Sequence, residues 1–256
     1  MAIVTEPLKV LVAAHKPYWM PDDPAYLPVH VGARGKETIP GLCSDDDGDS
    51  ISALNPYFCE LTGVYWAWKN IDAAYVGSAH YRRYFADRRF GDKKSRIASG
   101  EALSRILDEY SVILPVERNY FIETNRSQYD HAHHAIDLDV TREILVERHP
   151  EYVEAFDASM NRTHGHRFNM FVMRRDIFDE YCEWLFDVLF ELQRRLDISS
   201  YSVNDQRVFG FVSERLLDPW IETRGIAYAE MPVVNLESQH WGRKIASFLL
   251  RKLGHR

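Results

Sequence analysis

Four short apolar runs constrain the fold more than any other feature of this chain. Leu8 to Ala14 (LKVLVAA), Ala73 to Gly77 (AAYVG), Ser111 to Leu114 (SVIL) and Phe168 to Met173 (FNMFVM) have the length and side chains of buried strands. Between them the period changes to that of helices. From Asn55 to Asn70, Phe58, Leu61, Tyr65, Trp66 and Lys69 recur at helical spacing behind a proline just inside the start. From Ile177 to Leu196, one face carries Tyr181, Trp184, Leu185, Val188, Leu189, Leu192 and Leu196. A further helix is expected over Asn204 to Leu217, and the stretch from Trp19 to Asp49, rich in Pro, Gly and Asp, reads as a long functional loop. Strands alternating with helices predict an α/β fold with a mainly parallel sheet and right-handed crossovers.

With 256 residues, 46% of them hydrophobic, the chain can bury a full core. There is no internal repeat and no clear linker, so the expectation is a single domain over residues 1–240 followed by a basic amphipathic helix over 241–256. A formal charge of −7 excludes a surface built as a whole to bind nucleic acid, so any anion must be held by a local cluster. Cys43, Cys59 and Cys182 are odd in number and far apart, which predicts neither a disulfide framework nor a cysteine zinc site and fits a reducing cytoplasm. The N-terminus lacks a basic leader ahead of an apolar core, and no later segment approaches about 18 uninterrupted apolar residues. In the C-terminal segment, Ile245, Phe248, Leu249 and Leu253 oppose a face whose only charges are basic. Such a helix can lie at an anionic inner membrane surface or dock on the body of the protein.

The strongest chemical signal is His80-Tyr81-Arg82-Arg83, which follows a predicted strand where α/β folds hold ligands. Guanidinium forks match phosphate oxygens, although pairing with surface acids such as Asp87 would use the same charges. His15, Lys16 and Tyr18 stand at another strand end and suit a diphosphate and a stacked base, or equally a solvated basic turn. The run Asp45-Asp46-Asp47-Gly48-Asp49 lacks full calcium-loop spacing and reads more simply as a turn capping the next helix. His131, His133 and His134 offer no recognised zinc spacing. His164, Gly165 and His166 precede the fourth strand and are placed in a cleft wall, with Asn169 turned toward a ligand hydroxyl. Asp205 and Gln206 open a helix, with Glu214 and Arg215 further along it. Where a bound hydroxyl must lose or orient a proton, a carboxylate is needed, and Asp205 is the first candidate, with Glu123 and Asp137 in reserve. GxGxxG, Walker and GxSxG patterns are all missing from the sequence.

The segments VAAHKPYWMP, LPVHVGA, GDSISALNPYFCELTGVYWAWKN, YVGSAHYRRYF, GHRFNMFVM, DEYCEWLFDVLFELQRRLDIS and DQRVFGFVSERLL together resemble the bacterial domain of unknown function 4422, found among capsular and exopolysaccharide glycosyltransferases. The resemblance covers nearly the whole chain. It implies a GT-A-like three-layer domain that uses a nucleotide-sugar donor, in some relatives UDP-galactofuranose, and a glycan or lipid-linked oligosaccharide acceptor. By the same resemblance His15, Lys16, Tyr18, His30, Val31 and Gly32 would lie near the nucleotide. Asn55 and Glu60 would face the cleft, and His80, Tyr81, Arg82 and Arg83 would occupy the place of the Asp-x-Asp metal motif of GT-A enzymes.

That substitution predicts a metal-independent hexosyl transfer in which cationic side chains stabilise the departing diphosphate, and with an α-linked UDP-galactofuranose donor and a β-linked product the displacement would be inverting. Two other classes stay open at this point. One is a non-catalytic nucleotide-sugar or carbohydrate-binding protein on the same fold, and the other is a histidine-rich metallohydrolase.

Overall fold

The computed structural model describes residues 6–237, so the basic segment expected over 241–256 lies outside the described residues. The elements run β1 (Glu6–Ala14), β2 (Tyr26–His30), β3 (Cys43–Ser44), α1 (Asn55–Phe58), α2 (Leu61–Asn70), β4 (Ala73–His80), β5 (Arg83–Phe85), α3 (Gly100–Leu107), β6 (Val112–Pro115) and β7 (Arg118–Asn119). They continue with α4 (Asn125–Ala132), α5 (Ala135–Arg148), α6 (Val153–Asn161), β8 (His164–Gly165), β9 (Phe171–Arg174), α7 (Arg175–Arg195), α8 (Val208–Ser213), α9 (Leu217–Arg224), β10 (Ala229–Met231) and β11 (Val233–Asn235).

The main sheet has the order β10-β6-β9-β4-β1-β2-β3. Pairings among β4, β1, β2 and β3, and between β10 and β6, are parallel, while β9 runs antiparallel to both β4 and β6. This is the mainly parallel α/β sheet expected from the sequence, with one reversed strand at its centre. Period-two alternation explains the layers. Leu11 and Ala13 of β1, Val112 and Leu114 of β6, and Phe171 and Met173 of β9 enter one apolar cluster with α2, α7 and α8. Val10 and Val12, Ile113, and Val172 enter the other, beneath α3 and β11. Buried on both faces, these strands read as continuous apolar runs, which is why they stood out in the sequence. Among the described residues no helix is long and apolar enough to cross a membrane.

Several boundaries differ from expectation for local reasons. The stretch from Trp19 to Asp49 contains β2 and β3, because Tyr26–His30 pairs in parallel with β1 despite Pro28 at its middle. The helix expected over Asn55 to Asn70 breaks at Cys59, whose φ of 53° is left-handed. β4 runs past Gly77 to His80 and turns back through Tyr81-Arg82 into β5, with His80 paired to Arg83. The basic segment is thus a tight hairpin rather than a loop. The fourth strand, Phe171–Arg174, begins only three residues into its apolar run, and the region from Asn204 to Leu217 is a single helical turn followed by the short α8.

Asp45 is fully buried, and its carboxylate accepts from Gly32 N at 2.8 Å, Ala33 N at 3.0 Å, Ser52 Oγ at 2.5 Å and Thr62 Oγ1 at 2.7 Å. The first acid of the Asp45–Asp49 run therefore ties the end of β2 to the start of α2. Gly32 completes the turn with φ 67°, and a Cβ there would meet the Asn55 side chain at 2.4 Å. Asp45→Ala strands two amides and two hydroxyls, so it should lower unfolding free energy by about 3 kcal/mol in urea titrations, and a loss below about 1 kcal/mol would contradict this anchoring role.

Candidate active site groove

Two adjoining cavities open beyond the carboxyl ends of β1, β2 and β4. One, of about 340 Å³, is lined by Ala13 of β1 and His15 just after it, Val31 after β2, and Asn55 and Pro56 of α1. The other, of about 360 Å³, extends to Arg118, Tyr120, Gln128, His133, Phe168, Phe211, Glu214 and Arg215. Cys59, Glu60, His80, Arg82 and Arg207 line both, so the two form one groove with Glu60 at the junction. Ligands of open α/β sheets bind in this position.

The backbone around Glu60 is strained on both sides. Cys59, just before it, has φ 53° and ψ −131°. Phe168 and Asn169, across the groove, have φ 80° and 50°. Left-handed conformations at non-glycine residues cost roughly 1–3 kcal/mol each and persist where the surroundings over-determine them. Here they bring together groups far apart in sequence. Asn169 Nδ2 donates to Glu60 Oε1 at 2.7 Å and to Gly210 O at 3.1 Å, while Asn169 Oδ1 accepts from Ser213 Oγ at 2.7 Å. Burial raises the pKa of the Glu60 carboxyl above the usual glutamate value, opposed by the Asn169 hydrogen bond.

The groove is strongly cationic. Arg82, Arg83, Arg118, Arg167, Arg207 and Arg215 line the larger cavity against two carboxylates, Glu60 and Glu214. Arg207 Nε donates to Cys59 Sγ at 3.1 Å. Burial, opposed by Arg207, lifts the Cys59 thiol to about 11, so it stays protonated at neutral pH. Burial first, then Arg82 and Arg83, push the His80 imidazole down to about 3. The neutral ring accepts the Arg82 backbone N–H at Nδ1, 3.3 Å away. Its proton therefore sits on Nε2, as a donor for a ligand. The buried Nε atoms of Arg82, Arg83 and Arg215, and Nη1 of Arg215, find no hydrogen-bond partner among the described residues. Buried guanidinium nitrogens without acceptors are unfavourable unless an anion supplies the oxygens.

Of the residues expected at the nucleotide, His15, Val31, Asn55, Glu60, His80 and Arg82 line the smaller cavity. Lys16 instead lies over the rings of Tyr18 and Tyr81, at 6.0 and 5.5 Å, and none of the three lines either cavity. His30 is buried beneath the groove and Gly32 is held by Asp45, so both support it rather than line it. Arg83 faces the larger cavity, over the ring of Phe168 at 4.6 Å.

The carboxylates expected to act as base lie elsewhere. Asp205 is engaged by Ser202 Oγ at 2.6 Å, which lowers its pKa, and by His133 Nδ1 at 3.4 Å. It reaches the groove only through His133, which stacks on Phe211. Asp137 is buried beneath the phenols of Tyr129 and Tyr201, at 2.9 and 2.7 Å. Glu123 pairs with His131 at 2.7 Å on the surface.

The residues expected to touch the sugar or acceptor are likewise engaged within the protein. Asn169 serves Glu60 and α8, as described. His164 pairs with Glu117 at 2.7 Å on the β7–β8 ribbon. His166 is buried between Asp218, at 2.5 Å from Nδ1, and Glu230, at 3.2 Å from Nε2. Burial alone would lower its pKa, but the Asp218 hydrogen bond and the surrounding carboxylates raise it. Gly165 leaves room for Asp218 and Arg167, and Gln206 turns back to Tyr201 O at 3.4 Å.

Sequence reading missed Cys59, Arg118, Phe168 and Arg207 as groove residues and did not place Arg215 there. One usable signal was present: Arg207, Glu214 and Arg215 flank the apolar stretch VFGFVS, where burial of charge implies a partner. Among the described residues no group of three or more His, Cys, Asp or Glu side chains converges to hold a metal ion.

Comparison with curated proteins gives no match. A solved structure described as the apo form of the WbbM bifunctional glycosyltransferase superposes with a TM-score of 0.85 at 29% identity, covering 91% of this chain and 46% of that one. The chain thus spans about half the length of that neighbour. The family model described as "Domain of unknown function (DUF4422)" matches residues 9–225, and the chain therefore belongs to the DUF4422 family.

Proposed function

We propose that the groove transfers a hexosyl unit from a nucleotide-diphosphate sugar to a hydroxyl of a glycan or lipid-linked oligosaccharide. The observation that carries this reading is the position of Glu60, a carboxylate at the junction of two cavities and flanked by guanidinium groups. The name of the structural neighbour, a glycosyltransferase, points the same way. The family resemblance favours UDP-galactofuranose as donor and a surface polysaccharide as product. The nucleoside is assigned to the smaller cavity, between His15, Val31 and Asn55, with its diphosphate against His80 Nε2, Arg82 and Arg207. The acceptor enters from the larger cavity. Cytoplasmic placement at an anionic membrane face is part of the same reading.

The displacement inverts the configuration at the anomeric carbon. Glu60 takes the proton of the acceptor hydroxyl, whose oxygen forms the new bond to the anomeric carbon. The bond from that carbon to the diphosphate oxygen breaks, and the diphosphate leaves with the electron pair. Arg82, Arg207 and the His80 N–H stabilise the charge that develops there, so cationic side chains supply the stabilisation assigned to a metal in Asp-x-Asp enzymes. Asn169 holds Glu60 in place. The base is thereby reassigned from Asp205 to Glu60, with Asp205 positioning His133. A carboxyl whose pKa is raised by burial is better matched to proton transfer near neutral pH.

Glu60→Gln should lower turnover about a thousand-fold with UDP affinity changed less than about threefold, whereas Asp205→Asn should retain turnover within about tenfold. The reverse ranking would return the role to Asp205. Because the pKa of Glu60 is raised, kcat/KM should fall on acidification through a pKa above the ordinary glutamate value of 4.5, and an acid limb at or below that value would contradict the base assignment. Turnover of UDP-sugars should survive EDTA. Complete loss, restored by manganese, would overturn the metal-independent part, and failure to release UDP from any donor would favour a binding protein.

A further inference from the structure

We infer that the acceptor carries an anionic group, phosphate or carboxylate, held by Arg83, Arg118 and Arg215 on the far side of Glu60 from the donor. The inference rests on the donor assignment above. These three guanidiniums line the larger cavity but not the smaller one.

Arg215 is the most telling. It is only 5% exposed, yet its Nε and Nη1 are buried and have no hydrogen-bond partner among the described residues. Its Nη2 donates to Gln128 Oε1 at 2.6 Å, and the Glu214 carboxylate is 3.8 Å from Nη1, too far for a hydrogen bond. Burial, and the neighbouring Arg167 charge, act against its ionised form. Arg83, which lines the same cavity, has a buried Nε that is also unpartnered. Arg118 is exposed and lies over the ring of Tyr120 at 5.0 Å.

Arg167 is different. Its guanidinium is bound by Asn125 Oδ1, by His166 O at 2.5 Å and by Tyr120 OH at 3.1 Å, which leaves it a structural part of the wall. Of the two carboxylates in the cavity, Glu60 is engaged by Asn169. With Arg167 set aside, five guanidiniums lining the cavity face two carboxylates, Glu60 and Glu214, so positive charge stays in excess. Sugar hydroxyls alone do not neutralise such a cluster, whereas the paired oxygens of a phosphate or carboxylate fit guanidinium forks. The rings of Tyr120, Phe168 and Phe211 in the same cavity offer apolar faces to the sugar that bears the group.

Calorimetry on the full chain held at saturating UDP separates this site from the donor site. Inorganic pyrophosphate, glucuronic acid and glucose are then titrated in turn, standing for a phosphate source, a carboxylate source and a neutral control. At least one of the two anions should bind, glucose should not, and Arg118→Gln and Arg215→Lys should each weaken anion binding about tenfold or more while leaving UDP affinity unchanged. Whichever anion binds identifies the source. Arg118 is exposed, so its variant reports even if the Arg215 variant fails to fold. Binding of UDP with no anion bound, or anion binding unaffected by Arg118→Gln, overturns the inference alone. A chain that does not bind UDP overturns the donor reading and this inference with it.

Discussion

The hydrogen bond from Asn169 to Glu60 is the contact on which the groove depends. It joins residues 109 positions apart and fixes a carboxylate at the meeting point of two cavities. Each partner is delivered by unfavourable backbone: Cys59 turns the chain between α1 and α2, and Phe168 and Asn169 turn it into β9. Around this bond the fold acts as a rigid frame. Strands buried on both faces present their carboxyl ends to the groove, and Asp45 clamps the end of β2 to the helix that carries Glu60. A displacement of a fraction of an ångström at either clamp would move the carboxylate away from the position that the proposed transfer requires.

The electrostatics of the groove are coherent with that geometry. A chain that carries a formal charge of −7 overall concentrates six arginines at one place and sets two glutamates among them. A low-dielectric wall strengthens each of these charges, and unpaired guanidinium nitrogens make the empty groove less favourable than one occupied by an anion. His80 contributes differently. Its neutrality follows first from burial and then from the same cations, and the Arg82 amide fixes which nitrogen carries the proton. The hairpin first noted as a basic run is therefore a mixed device, with one neutral donor and two permanent cations.

Much of the frame was legible in the sequence because burial on both faces of a parallel sheet leaves continuous apolar runs. β1, β6 and α7 follow directly from such patterns. β2 was hidden by Pro28 and by its brevity, and the break at Cys59 was hidden because apolar spacing continues across it. At the site, the His80 to Arg83 segment was visible as charge after a strand. Carboxylate roles were not. Asp205, Asp137 and Asn169 look available in one dimension and are engaged by neighbours in three, which only tertiary contacts reveal. Glu60 was recognised only through family resemblance, as a cleft residue, since nothing in its local pattern separates it from a helix-start glutamate. Arg118 and Arg215 come from distant segments and converge only on folding.

The central claim is that the groove holds a nucleotide diphosphate against Arg82, Arg207 and His80 with Glu60 facing the transferred sugar. A crystal structure of the chain with UDP bound tests it most directly. The account predicts diphosphate oxygens within hydrogen-bonding distance of the Arg82 and Arg207 guanidiniums and of His80 Nε2, with the base between His15 and Asn55. A diphosphate bound by Arg83, Arg118 and Arg215 instead, or one bound outside the groove, would contradict it.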